Sequence, residues 1–349
     1  MIQQIDRQRL APMRLRETAL GTLEKTQLLS ATLPEDRRGA WSEAAGRLSY
    51  PLAAGAEFET FLTQAANIAS RHMTSEMKGL CRSLKTVQGP AAVLLRRIPL
   101  DGALPEPPID GVRPSGKGPV SEAAILGITH QLGQVFAYRQ EKNGALCHEV
   151  APVPGREKSN SSIGKFELAP HSDVAAAPDD CVPDFLALLA LVNDDRAETV
   201  LHVVDEVVCE LPDAHLACLA QPLFRFRYPE SFHIPGGNAF SPPRSIIDRR
   251  RGRLTISSSS SEVVGCTPES ARSLDLFRAL LSEMPGYRFA SEPGDLIIFN
   301  NRRVLHSRTA FQGRRWLQRV YVRTNLNALR RMTASSGSER VFDTTRFGQ

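Results

Sequence analysis

From residue 145 onward the chain is cut into short apolar stretches by Pro, Gly, Asp and Asn: Phe185–Val192, Thr199–Val208, Arg253–Ser257, Asp295–Phe299 and Arg315–Arg323. Stretches this short suit strands better than helices. A series of them can bury its apolar faces only by stacking two sheets or closing one into a barrel. One helical pattern interrupts the series, over Ser270–Met284. The preceding part has a different texture. Residues 1–85 read as mainly helical, with Phe58, Phe61, Leu62, Ala65, Ile68 and Ala69 on one face of a helix over Glu57–Met73. Ala91–Leu100 reads as a strand that ends at a proline turn, residues 101–120 as a Pro- and Gly-rich surface loop, and Ser121–Phe136 as an amphipathic helix. Thr333–Gln349 is rich in Ser, Thr and Gly and reads as a loosely held tail. The pattern predicts one mainly β domain with flanking helices over 1–349: a helical part (1–85), a β-core with insertions (86–330) and a tail (331–349).

Composition narrows the function. With 349 residues, 42% of them hydrophobic, the chain can bury a large core without disulfide staples. Its six cysteines include no CxxC pair, so neither a zinc ribbon nor a dithiol redox site is expected, and the scatter fits free thiols in a reducing compartment. The N-terminus has no signal-type apolar core, and the longest apolar run is far shorter than the roughly 20 residues of a membrane helix, so the expectation is a soluble, cytoplasmic protein with no membrane partner. The net charge of +5 comes from 43 basic against 38 acidic residues. The densest basic run, Asp248–Arg253, reads as a solvated turn between strands, and only 6% of residues are aromatic, so no nucleic-acid partner is expected. The oligomeric state is left open.

Three features of the β-rich half bear on chemistry. In His171-Ser172-Asp173, strand geometry would aim an imidazole and a carboxylate at one point. His306 follows the apolar strand DLIIFNNRRVL. Two histidines and one carboxylate make the facial triad of non-haem iron(II) oxygenases, which leaves three metal positions open for a bidentate 2-oxo acid and O2. In Arg315-Trp316-Leu317-Gln318-Arg319, alternation puts Arg315, Leu317 and Arg319 on one face, where a planar guanidinium can pair bidentately with the far carboxylate of such an acid. Taken singly, His171 and Asp173 could be a surface histidine and a capping aspartate, and His306 a satisfied core histidine. The order of the three features is what makes the pattern specific.

These residues also carry a family resemblance. Ala91 to Thr324, roughly two thirds of the chain, resembles the clavaminate synthase-like branch of the taurine dioxygenase superfamily. The likeness is sharpest in PGDLIIFNNRRVLHSRTAF and RRWLQRVYVR, with echoes in LLRRIPLDGALPEPP, AYRQEKNGALCHEVAPVPGREK and ELAPHSD. It implies a double-stranded β-helix, a cupin-like jelly roll, and an Fe(II)- and 2-oxoglutarate-dependent dioxygenase that hydroxylates a free amino acid for secondary-metabolite (antibiotic) biosynthesis. It puts His171, Asp173 and His306 on the iron, Thr199 and Arg315 on the cosubstrate carboxylate, Arg319 on the substrate's acid group, Gln140 on its amino-acid head, and Ser161 on a loop that closes over the substrate.

Three departures matter. The branch usually has His-x-Glu where this chain has His-x-Asp. The spacing from His306 to Arg315 is short, which leaves Arg314 as a competitor, although alternation and Trp316 favour Arg315. Where arginine hydroxylases carry an acidic pair for the guanidinium, this chain has Ser257 to Ser261. Hydroxyls cannot neutralise a buried cation, so the expected substrate has a neutral polar side chain, of the citrulline, glutamine or asparagine kind. A cationic substrate would need Asp179, Asp180 or Glu262 instead. The alternatives are oxidative cyclisation or desaturation by the same cofactors, or a non-catalytic jelly-roll binding protein.

Overall fold

The computed structural model describes residues 27–159, 161–229, 232, 239–250, 252–259 and 263–347. The helical reading of residues 1–26 lies outside them, as do Arg251, Ser260, Ser261 and Glu262.

Two sheets face each other. The larger has the order Leu28–Thr32, Ala92–Arg96, Leu296–Asn300, Phe185–Asn193, Arg315–Arg323, Gln134–Tyr138 and Val341–Phe342, and His148–Val150 also pairs with Arg315–Arg323. The smaller has the order Tyr287–Ala290, Glu198–Val203, Val304–Arg308 and Leu168–His171. Between them lies one core, to which the larger sheet gives Leu186, Leu188, Ile297, Phe299, Leu317 and Tyr321, and the smaller Leu201, Val203, Val304 and Leu305. This is the expected double-stranded β-helix.

The larger sheet is buried on both faces. Phe185, Ala187, Leu189, Leu191, Ile298, Trp316 and Val320 point away from the barrel and pack with Phe58, Phe61, Leu62 and Ala65 of the helix Ala56–His72, and with Val120–Thr129. Two buried faces explain why Phe185–Asn193 reads as an unbroken apolar run rather than an alternating one.

Local readings fail at three points. The expected helix Ser121–Phe136 is a helix over Val120–Thr129 followed by the strand Gln134–Tyr138. Every residue of that helix is buried, so it is not amphipathic. It lies so close to its neighbour that a side chain at Gly127 would meet the Ala65 carbonyl oxygen at 2.4 Å. The apolar stretch Thr199–Val208 splits into the strand Glu198–Val203 and the helix Val204–Glu210, whose first turn holds Asp205 on Arg303 at 2.9 Å.

The third failure is the tail. Val341–Phe342 adds a parallel strand beside Gln134–Tyr138, Arg340 pairs with Glu59, and Phe347 is buried against Tyr138 and Phe232. The basic run does form a turn, between Ile247–Arg250 and Arg253–Ile256, with Gly252 at a φ of 80°. None of the six cysteines is in a disulfide, and no helix among the described residues is long and apolar enough to cross a membrane.

Candidate active site

The smaller sheet brings the two histidines together. His306 is the register partner of His171 on one side and Leu201 on the other, and the two imidazole centroids lie 4.2 Å apart. Asp173 lies two residues past His171, beyond the end of its strand, in a turn. Strand alternation therefore does not aim its carboxylate. Asn301 does so: its side-chain carbonyl accepts the Asp173 backbone N–H at 2.9 Å, and its amide donates to the Asp173 carbonyl at 3.0 Å. Asn301 is fully buried and belongs to the Asn-Asn-Arg-Arg turn that leads into the His306 strand. Beside it, the Ser172 backbone N–H donates to the Ser258 carbonyl at 3.0 Å.

The three side chains are buried, and their donor atoms all lie within 4.8 Å of one another. Asp173 Oδ1 is 3.4 Å from His171 Nε2 and 3.6 Å from His306 Nε2. The ring nitrogen His171 Nδ1 is 2.8 Å from the Ala169 carbonyl, which fixes the proton there and leaves the Nε2 lone pair facing inward. Burial, then the neighbouring His171, hold His306 down to about 3, so it is a neutral ligand at physiological pH. Burial alone would raise Asp173, but Arg319 and the two imidazoles hold it well below the usual carboxylate range. Two imidazoles and one carboxylate converging from one side fit an iron(II) ion, which would keep its other face open.

Arg319 is engaged at this centre. Its Nη1 donates to Asp173 Oδ2 at 2.7 Å and its Nη2 to His148 Nδ1 at 2.9 Å, while the Tyr321 hydroxyl donates to the same Oδ2 at 3.2 Å. Burial and Arg319 keep His148 neutral, which suits an acceptor. The outer oxygen of Asp173 is thereby clamped, and the inner one is left for metal.

A cleft runs from these ligands along Leu168, Thr199, Ser307, Arg308 and Arg315. Arg315 is buried and faces it, whereas Arg314 is exposed and paired with Asp194 and Glu106. The alternation read from the sequence therefore holds. Burial, then Arg308, depress Arg315 to about 9, and burial depresses Arg308 to about 10. Both remain cationic at neutral pH.

The expected substrate residues fare differently. Gln140 turns away: its amide nitrogen donates to Asp343 at 2.6 Å and its carbonyl accepts from the Thr344 N–H at 3.0 Å, so it ties down the C-terminal segment. Ser161 bonds Ser159 at 2.9 Å, and its neighbour Ser162 lines the cleft. Sequence reasoning passed over Glu141, whose Oε2 is buried without a partner and whose carboxyl is raised by burial and by Asp173, against the opposing pull of Arg319. Gln140 and Glu141 differ by one step, and only the backbone turn after Tyr138 decides which of them faces inward. Asp179 is committed to Arg244 and Arg250.

The fold and the site define an iron(II)- and 2-oxoglutarate-dependent oxygenase. A sequence profile of the taurine catabolism dioxygenase TauD, TfdA family matches residues 231–321. An L-asparagine oxygenase of Streptomyces coelicolor is 32% identical over 257 residues, covering 70% of this chain and 75% of that protein. Clavaminate synthase 2 of Streptomyces clavuligerus is 28% identical over 84% of this chain and 90% of its own. An L-ornithine/L-arginine 3-hydroxylase of Catenulispora acidiphila is 27% identical over 57% of this chain and 66% of its own. A solved asparagine oxygenase with Fe(II), 3-hydroxyasparagine and succinate superposes with a TM-score of 0.77 at 28% identity, over 90% of this chain and 98% of that one. The chain belongs to the TauD, TfdA family, in the group that holds these amino-acid oxygenases.

Proposed function

We propose that this protein hydroxylates a free α-amino acid with a neutral polar side chain. His171, Asp173 and His306 hold iron(II). Thr199 and Arg315 hold the distal carboxylate of 2-oxoglutarate. When bound, these cofactors and O2 supply decarboxylation to succinate and CO2, coupled to insertion of one oxygen atom into a substrate C–H bond. The protein orients that bond. At the substrate end, Glu141 offers an acceptor to the ammonium group, and Arg319, which lines the cleft beside Asp173, offers a cation to the α-carboxylate. Glu141 takes the place first given to Gln140, and Ser162 that given to Ser161.

The observation that carries the side-chain assignment is the Ser257–Ser259 segment. It is hydrogen-bonded to the turn that bears Asp173, Ser258 is buried there, and the segment brings no carboxylate to it. Similarity to an asparagine oxygenase, whose named substrate has a neutral amide, points the same way. A site that hydrogen-bonds its ligand rejects analogues lacking the matching group by large factors. The test is competition at equal concentration among asparagine, glutamine, citrulline, arginine and lysine, read by mass. Preferential oxidation of arginine or lysine would sink the side-chain assignment while leaving the reaction class intact.

A further inference from the structure

The cleft holds a second arginine that the cosubstrate assignment above does not use. Arg308 follows His306 by two residues on the same strand, so both face the cleft, about 7 Å apart along the chain. That is a span a five-carbon diacid chelated at the metal can bridge. Arg308 is 4% exposed and Arg315 6%. Neither forms an ion pair with any described carboxylate, and the Nε of each is buried without a partner. Both guanidiniums lie over one ring, that of Phe311, at 4.9 and 5.7 Å from its centroid. Thr199 is the register partner of Arg308. The protein contact that fixes Arg308 is a hydrogen bond from its Nη2 to the Phe166 carbonyl.

Two buried like charges with no counter-charge are costly by themselves. A carboxylate offers about four lone-pair sites, enough to accept from both guanidiniums and the Thr199 hydroxyl together. The buried Phe311 ring covers part of both guanidiniums and helps keep water from them. We infer that Arg308 is a second cation for the distal carboxylate of the cosubstrate, acting with Arg315 and oriented by Phe166. The inference rests on the 2-oxoglutarate reading above and adds to it a residue and a charge count: two arginines rather than one read the far end of the 2-oxo acid. The consequence is selectivity for a 2-oxo diacid over a 2-oxo monoacid.

The experiment uses the full chain loaded with Mn(II), and calorimetry of two probes, 2-oxoglutarate and 2-oxobutyrate, which lacks the distal carboxylate. Arg308→Gln should weaken 2-oxoglutarate binding by about tenfold or more, the value of a hydrogen bond to a charged group, and leave 2-oxobutyrate within about twofold. Arg308→Lys, which keeps the charge and loses the fork, should give a smaller loss of the same selectivity. An unchanged 2-oxoglutarate affinity, or an equal loss for both probes, overturns the inference. If Arg308→Gln does not fold, Arg308→Lys decides by the same comparison. Wild-type protein that bound neither acid better than the other would instead remove the cosubstrate reading itself, and this inference with it.

Discussion

Asp173 has one oxygen for the metal and one for the protein. Oδ1 faces both imidazoles, while Arg319 and Tyr321 hold Oδ2. The aspartate side chain is short, and this clamp sets the position of its inner oxygen. Arg319→Gln should therefore lower iron affinity by about 10–100-fold, the usual weight of a group that orients a ligand, as measured by metal competition with a chelating dye. An iron affinity unchanged in this variant would separate Arg319 from the metal and return it to the substrate alone. At the other end of the cleft, Arg315→Ala should cost about 2–5 kcal/mol of 2-oxoglutarate binding, because it removes a buried charge-assisted pair. Arg314→Ala should be near-neutral, since Arg314 is exposed and its partners are surface carboxylates. The reverse ranking would put the strand one residue out of register.

Single elements explain both what was legible and what was not. The metal histidines could be read because each occupies a strand position whose facing follows from period-two alternation. Asp173 does lie beside them, but not through strand alternation, since it sits in a turn and its backbone is held by Asn301. No local pattern reveals a side chain 128 residues away bonded to both the N–H and the carbonyl of one residue. Asn301→Ala should leave the barrel folded and lower iron affinity more than it lowers thermal stability. A parallel loss of both would make Asn301 a purely structural residue. The tail was misread because Ser, Thr and Gly hide its few anchors, Arg340, Phe342 and Phe347. Phe347→Ala should destabilise the fold by ~3 kcal/mol, seen in urea unfolding, and a change below about 0.5 kcal/mol would restore the loose tail.

The strand His148–Val150 predicts a pH effect. Burial and Glu122 push Glu149 up to about 7, although Trp316 and Gln318 donate to it at 2.5 and 3.1 Å. The folded protein therefore binds this proton more tightly than the unfolded chain. Stability drawn from the group is full below the ordinary glutamate range and falls as pH rises toward 7. Unfolding midpoints at pH 5 and 8 should differ less in Glu149→Gln than in the wild type, and an equal slope would place the titration elsewhere.

At the scale of the molecule, one sheet serves two cores. Phe185–Asn193 gives alternate residues to the barrel and to the helices behind it. We propose that the helical part and the barrel unfold as one unit, with a single transition by tryptophan fluorescence and circular dichroism. Trp41 and Trp316 both lie in the helix-side core, while circular dichroism follows the barrel strands as well. Two separated midpoints would argue for two domains. The fold class was legible because short, regularly spaced apolar strands admit few closures. The proposed substrate contacts were not, because Glu141, Ser162 and the serine segment share no periodic signal and lie far apart in the chain.

The central claim is that this barrel oxidises a free amino acid through iron(II) and 2-oxoglutarate. The direct measurement is mass spectrometry of purified protein incubated with Fe(II), 2-oxoglutarate, air and a mixture of free amino acids, with succinate quantified in parallel. The account predicts a one-oxygen mass gain on a neutral amide or ureido amino acid, matched by succinate, and absent without iron or in His306→Ala. Succinate formation that no free amino acid stimulates, with no product one oxygen heavier, would contradict it.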